Sequence, residues 1–152
     1  MADYSDDDAM SIASGISAFE SREFTKAMRL LSPFADQGDA EAQYRIATMT
    51  LYGLGMVKNE PQGFKMMQSA AEQGHALAQH GLGFMYFEGE CVEQNGEQAV
   101  NWFSKAAEQG MSGSATTLAM MYEQGNIVPQ DLEQAKRWYR LAGFDDKADE
   151  IG

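Results

Sequence analysis

Ala71-Glu72-Gln73-Gly74 returns unchanged as Ala107-Glu108-Gln109-Gly110, a step of 36 residues (107 − 71). Laid over 76–111 at that step, residues 40–75 are identical at 12 of 36 positions, where average composition would give on the order of two. The register continues into 112–143: Met49, Met85 and Met121 correspond, as do Gly53, Gly89 and Gly125, and Gln62, Gln98 and Gln134. Upstream, Ala35-Asp36-Gln37-Gly38 is a variant of the same tetrapeptide. A period of this size belongs to units that bury their apolar faces only against their neighbours, so function is to be sought on the surface of the stack. One repeat domain is expected, with a short first repeat at 8–39, full repeats at 40–75, 76–111 and 112–143, and a C-terminal cap at 144–152.

Each full repeat reads as two helices. The first is expected at about 40–52, 76–88 and 112–124, and the second at about 60–73, 96–109 and 132–142. Asn59, Asn95 and Asp131 stand where the second helices start, each followed three residues later by Gln62, Gln98 or Gln134. That spacing predicts a reciprocal capping box. Gly38, Gly74 and Gly110 stand where a left-handed residue would end the second helix. Two series of small residues, Gly15, Ala47, Gly83, Ala119 and Ala27, Gly63, Ala99, Ala135, are expected to meet where paired helices cross. Leu30, Met66, Trp102 and Trp138, with Leu31, Met67, Phe103 and Tyr139 beside them, supply the core's bulk. The expectation is about eight helices in four antiparallel pairs and no sheet.

The string Ala40-Glu41-Ala42-Gln43-Tyr44, the Gly53-x-Gly55 turn and Trp102-Phe103-Ser104-Lys105-Ala106-Ala107-Glu108-Gln109-Gly110 together resemble the Sel-one-like repeat family, a relative of the tetratricopeptide repeats. The resemblance covers about 40–143; residues 8–39 look more like the tetratricopeptide form, with a shorter turn at Ser21 to Glu23. It implies an all-α fold, a right-handed α/α superhelix (solenoid) of helix-turn-helix repeats, whose members act as non-enzymatic adaptors and scaffolds binding proteins through a concave face. Cys91 and Ile127 replace the second turn glycine held by Gly55, so those two turns are expected to differ in backbone conformation. The last repeat has Ala142-Gly143-Phe144-Asp145 in place of the closing tetrapeptide, and Asp146 to Ile151 is expected to be a polar capping segment.

Against 11 basic residues stand 23 acidic ones, a formal charge of −12. Such a balance repels phosphate backbones and anionic headgroups, which argues against nucleic acid and membrane partners. Nor does any apolar run approach the ~20 residues that a spanning helix needs. Cys91 is the only cysteine, so no intramolecular disulfide or CxxC motif exists. The acidic start Met1-Ala2-Asp3-Tyr4-Ser5-Asp6-Asp7-Asp8 lacks the basic and apolar parts of a signal peptide, which favours the cytoplasm; a leader removed beforehand would place the chain in the periplasm or outside the cell. Asp6 to Asp8 suit a helix N-terminus.

Chemistry is sparse. His75 and His80 are five apart and do not share a helix face, no cysteine pair can complete a zinc site, and no phosphate loop or nucleophile elbow is present. Neither metal nor cofactor is expected. What exceeds the needs of a core is the second face of the first helices. Ala42, Gln43, Ile46, Ala47, Met49 and Thr50 form the inward face of one, leaving Glu41, Tyr44, Thr48, Leu51 and Tyr52 on the other. The next repeats place Leu77, His80, Phe84, Phe87 and Glu88, then Gly113, Thr116, Met120, Glu123 and Gln124, at the corresponding positions. Together they are expected to line a continuous groove, aromatic in the middle and acidic at the rim, that takes an extended or helical, basic segment of a partner protein. Three alternatives stay open: Phe84 and Phe87 packed as core, a hydrolase acting on a cell-wall or small-molecule substrate, and a homo-oligomer or self-associating scaffold.

Overall fold

A computed structural model describes residues 4–151 and contains, among them, nine α-helices and no strand. They are α1 (Asp6–Glu20), α2 (Phe24–Asp36), α3 (Ala40–Tyr52), α4 (Glu60–Glu72), α5 (Ala76–Glu88), α6 (Gly96–Glu108), α7 (Ser112–Gln124), α8 (Leu132–Leu141) and α9 (Asp145–Glu150). Met1 to Asp3 of the acidic start lie outside the described residues; Ser5 and Asp8 form a capping box at α1, with Asp6, Asp7 and Asp8 in its first turn. The chain divides into two compact halves, one ending at Ala78 and one starting at Gln79. In the first, α1 packs on α2, α2 on α3 and α3 on α4, around Ala18, Leu31, Phe34, Ile46 and Met49; in the second, α6 packs on α7, α7 on α8 and α8 on α9, around Phe103, Leu118, Met121, Trp138 and Tyr139.

Helix starts follow the sequence with one change. Asn59, Asn95 and Asp131 each accept the backbone N–H three residues on, at 3.2, 3.1 and 3.1 Å. The other half of the expected box is replaced: the backbone N–H of each cap donates to a carbonyl of the preceding helix, Thr50, Tyr86 and Tyr122, at 2.9 Å in all three. The repeat thereby ties its own two helices together through the turn. With the cap's N–H already paired, Gln62 reaches back to the cap's side chain instead, its Oε1 accepting from Nδ2 of Asn59 at 3.3 Å.

Helix exits hold in all four repeats. Gly38, Gly74, Gly110 and Gly143 have φ of 95, 94, 100 and 90°, and the residue after each donates to a carbonyl five positions back, closing a Schellman motif. The last tetrapeptide is therefore lost in sequence while its exit geometry survives, three residues earlier because α8 has 10 residues where α6 has 13.

The turn after the first helix corrects an expectation. Gly55 has φ 70°, and Cys91, with a Cβ, takes φ 65° at the same place, so these two turns share their conformation; Ile127 does not enter the left-handed region. Glu90 N–H bonds to Met85 as Leu54 N–H bonds to Met49, and these closures hold both turns in the same form.

Two further corrections concern packing. At the glycines of these two series the nearest neighbour is a large side chain: a Cβ at Gly15 would stand 2.6 Å from Leu31, one at Gly63 2.7 Å from Leu51, and one at Gly83 2.7 Å from Phe103. Each glycine is a hole receiving a large side chain, which brings the helices together by knobs entering holes. The C-terminal segment is not merely polar. Phe144 N–H closes the exit of α8, α9 follows, and Ala148 and Ile151 are buried at 0% and 8% exposure. Ile151 falls seven residues after the position preceding its helix, as do the buried Ile46, Leu82 and Leu118. This ninth helix, absent from the expected eight, repeats the opening of a first helix.

Candidate protein-interaction face

In the first half the candidate residues lie on α3. Tyr44 is half-buried, its ring stacked on His75 with centroids 5.0 Å apart; Thr48 is half-buried and its hydroxyl donates to the Tyr44 carbonyl at 3.0 Å. Tyr52 is 55% exposed. Leu51 has to leave the face: at 3% exposure it fills the space above Gly63. Sequence reasoning missed Arg45, which is buried, pairs with Glu41 at 3.0 Å, reaches Glu20 at 3.9 Å, and lies over the rings of Phe19 and Tyr44 at 5.3 and 5.0 Å. The spacing of Glu41 to Arg45, one helical turn, was the available signal.

Beside it Tyr4, Gln37, Asp39, Glu41, Gln73 and His75 border a cleft of about 560 Å³. Its charged groups already bind one another. Asp39 caps α3 through Oδ1 at 2.8 Å and accepts from Tyr4 through Oδ2 at 2.9 Å, while the two oxygens of Glu41 are taken by Arg45 and by Nε2 of His75. Nδ1 of His75 accepts from the Ala78 N–H at 3.2 Å, which puts the proton of a neutral ring on Nε2, facing the carboxylate. Burial, then the bond to Asp39, holds the Tyr4 phenol above its usual pKa. This network braces the repeat.

The second half gathers His80, Phe84 and Phe87 on α5, all half-buried. Their rings close on Phe103, which is fully buried: centroids lie 5.7, 5.0 and 6.3 Å from it, with Phe84 also 4.9 Å from His80 and 6.0 Å from Phe87, all edge to face. Phe84 and Phe87 thus roof the core and present their other surface outward. Nδ1 of His80 is 2.5 Å from Oγ of Ser114, a hydrogen-bonded contact that the sequence did not reveal because the two are 34 apart. Ser114 is 0% exposed, so its hydroxyl is not presented to a substrate; burial pushes the His80 pKa below its ordinary value. Glu88 is exposed, Met120 is 44% exposed, and Glu123 accepts from the Tyr139 hydroxyl at 2.7 Å. Met120, Glu123, Thr116, Gln124, Tyr139, Phe144 and Lys147 border an open cleft of about 390 Å³.

The repeated tetrapeptide has a structural task. Gln73 donates to the buried Gln43 at 3.0 Å and, one period later, Gln109 donates to the buried Gln79 at 2.8 Å. Where the next period would need the pair, Ala115 and Ala142 stand instead.

Successive helix-turn-helix repeats with these caps define an all-α repeat protein of the solenoid class. The family model for the Sel1 repeat matches residues 16–39, 40–75, 76–111 and 114–143, and the chain belongs to the Sel1 repeat family. Among solved structures, a Sel1 repeat protein from Oxalobacter formigenes is similar at 31% identity and TM-score 0.80, over 90% of this chain and 57% of that one. The protein c5321, described as a protective antigen of uropathogenic Escherichia coli displaying an SLR fold, is similar at 35% identity and TM-score 0.72, over 76% of this chain and 25% of that one. The chain thus spans only part of the length of both. Comparison with curated proteins finds no match. Sel1 repeats are commonly protein-interaction modules. Among the described residues no helix is long and apolar enough to cross a membrane.

Proposed function

We propose that this chain is a non-enzymatic adaptor that binds a segment of another protein on the outer face of its first helices. Tyr44, Thr48 and Tyr52 contribute in the first half, and His80, Phe84, Phe87, Glu88, Met120 and Glu123 in the second. The observation that carries it is the pairing of half-buried and exposed aromatic and methionine side chains with acidic neighbours on helices whose opposite face is already buried. Apolar surface of this kind, beyond what the core consumes, is the usual mark of a binding site. Aromatic anchors supply most of the energy of such contacts, while rim carboxylates act on encounter rate and salt dependence. With a formal charge of −12, a basic partner segment is favoured.

The test is capture of partners from the native cell extract by the full chain and by Phe84→Ala with Phe87→Ala. Because both rings pack on Phe103, capture is read beside the helical spectrum, and a second pair, Tyr52→Ala with Met120→Ala, changes exposed residues only. Loss of the same partner from both folded variants is expected. Undiminished capture by both would refute the assignment.

A further inference from the structure

One period separates Phe84 from Met120 and Phe87 from Glu123 (120 − 84 = 36; 123 − 87 = 36). Likewise Phe103 on α6 corresponds to Tyr139 on α8. In the earlier repeat, the two phenyl rings of α5 cover Phe103 edge to face. In the later one neither covering ring exists, and above Tyr139 the cleft of about 390 Å³ stays open between α7 and the start of α9. The repeat has kept the floor and omitted the filling.

What remains around the gap is suited to one kind of side chain. Met120 and Phe144, 44% and 51% exposed, form apolar walls, a thioether and an aromatic ring that both favour contact with another ring. Lys147 has its ammonium 5.9 Å from the Tyr139 ring centroid, over the aromatic floor, where it can face a second π-system. Glu123 is held by the Tyr139 hydroxyl through Oε1, which leaves Oε2 as an acceptor at the border of the cleft. An incoming ring with its own N–H or O–H therefore meets two apolar walls, a cation and an oriented carboxylate. An aliphatic side chain would use only the walls, and a basic one would face Lys147.

We propose that this cleft is an anchor pocket for a donor-bearing aromatic side chain of the partner segment, on the same side of the helix pair that Phe84 and Phe87 cover one repeat earlier. The proposal rests on the reading of the first-helix face as the binding surface, and adds to it the residue by which the partner is recognised.

The probe is N-acetyltryptophan amide titrated into the full chain, read by the Met120 ε-methyl signal, with its 1-methylindole counterpart and N-acetylleucine amide as controls. A saturable ring-current shift at Met120 is expected, with affinity at least fivefold weaker for the 1-methylindole form, and weaker again for the leucine form. Met120→Phe, which puts back the ring found at position 84, should abolish binding, read as loss of saturation transfer to the indole, while the thermal transition does not fall. No shift at Met120 up to the solubility limit, equal affinity for all three probes, or full indole binding by Met120→Phe would each overturn the pocket. Such a failure would leave partner capture through Phe84 and Phe87 untouched, whereas indole binding without partner capture would sink the adaptor reading and spare the pocket.

Discussion

Gly83→Ala asks the sharpest question of the packing. In a helix interior this replacement is ordinarily stabilising by ~0.5 to 1 kcal/mol, because alanine restricts the unfolded chain. Here the new Cβ would stand 2.7, 2.8 and 3.0 Å from three carbons of the Phe103 ring. That ring is fully buried and hemmed by His80, Phe84 and Phe87, so it cannot step aside as a flexible chain end would. Overpacking of this kind costs about 1 to 3 kcal/mol, and against the propensity gain it leaves a net loss of up to about 2.5 kcal/mol. The assay is urea unfolding of the full chain, carried out as a cycle with Phe103→Met, which reproduces the residue types of the Ala47 and Met67 pair one repeat earlier. The double variant should be less destabilised than the sum of the singles by about 1 kcal/mol or more, the signature of a relieved clash. A Gly83→Ala protein more stable than its parent, with additive energies in the cycle, would refute the account of glycines as holes for large side chains.

Asn95→Ala should lower stability by about 0.5 to 2 kcal/mol through loss of the bond to the Gln98 N–H, with no change of fold; an unchanged urea midpoint would remove the cap. Cys91→Gly should raise stability by about 1 kcal/mol, since a side chain at φ 65° is crowded against the following carbonyl; a lowered midpoint would mean the thiol contributes more than the strain costs. Burial, then the bond to Glu123, pushes the Tyr139 phenol up to about 12. A raised pKa stabilises fully below the unfolded value of about 10 and is lost as pH rises through the folded one, so between pH 10 and 12 the parent should lose stability that Tyr139→Phe does not. Parallel alkaline stability profiles for the two proteins would contradict this.

How much was legible can be traced residue by residue. Caps and exits were, because they act within a few residues: an Asn or Asp and the N–H three positions on, a glycine and the carbonyls just behind it. Burial of Leu31, Phe103, Trp138 and Tyr139 was also legible, since helical period alone assigns a face. What the period could not supply was the partner across the helix pair. Leu51 reads as outward on α3 taken alone, and becomes core only because Gly63 opens a hole opposite it. The reciprocal half of the capping boxes failed for the same reason, its donor being used by the preceding helix. Cys91 shows tertiary context overriding local preference, and Ser114 beside His80 shows a contact whose members sit in different repeats. Ala148 and Ile151 were hidden by acidic neighbours that make residues 145–150 look wholly polar. Of the candidate face, the aromatic clustering was visible in sequence; the open cleft above Tyr139 was not, since it is defined by rings that are missing.

The central claim is that partners meet the first helices, and site-specific photo-crosslinking tests it most directly. A benzophenone side chain is placed at Tyr52 and at Met120, both exposed on first helices, and separately at Lys65 and Asn101, exposed on α4 and α6. In the native cell, the same protein adduct should form at 52 and 120 and not at 65 or 101, and it should vanish when Phe84→Ala and Phe87→Ala are added to a chain that keeps its helical spectrum. Adducts confined to Lys65 and Asn101, or none at any of the four, would contradict the account.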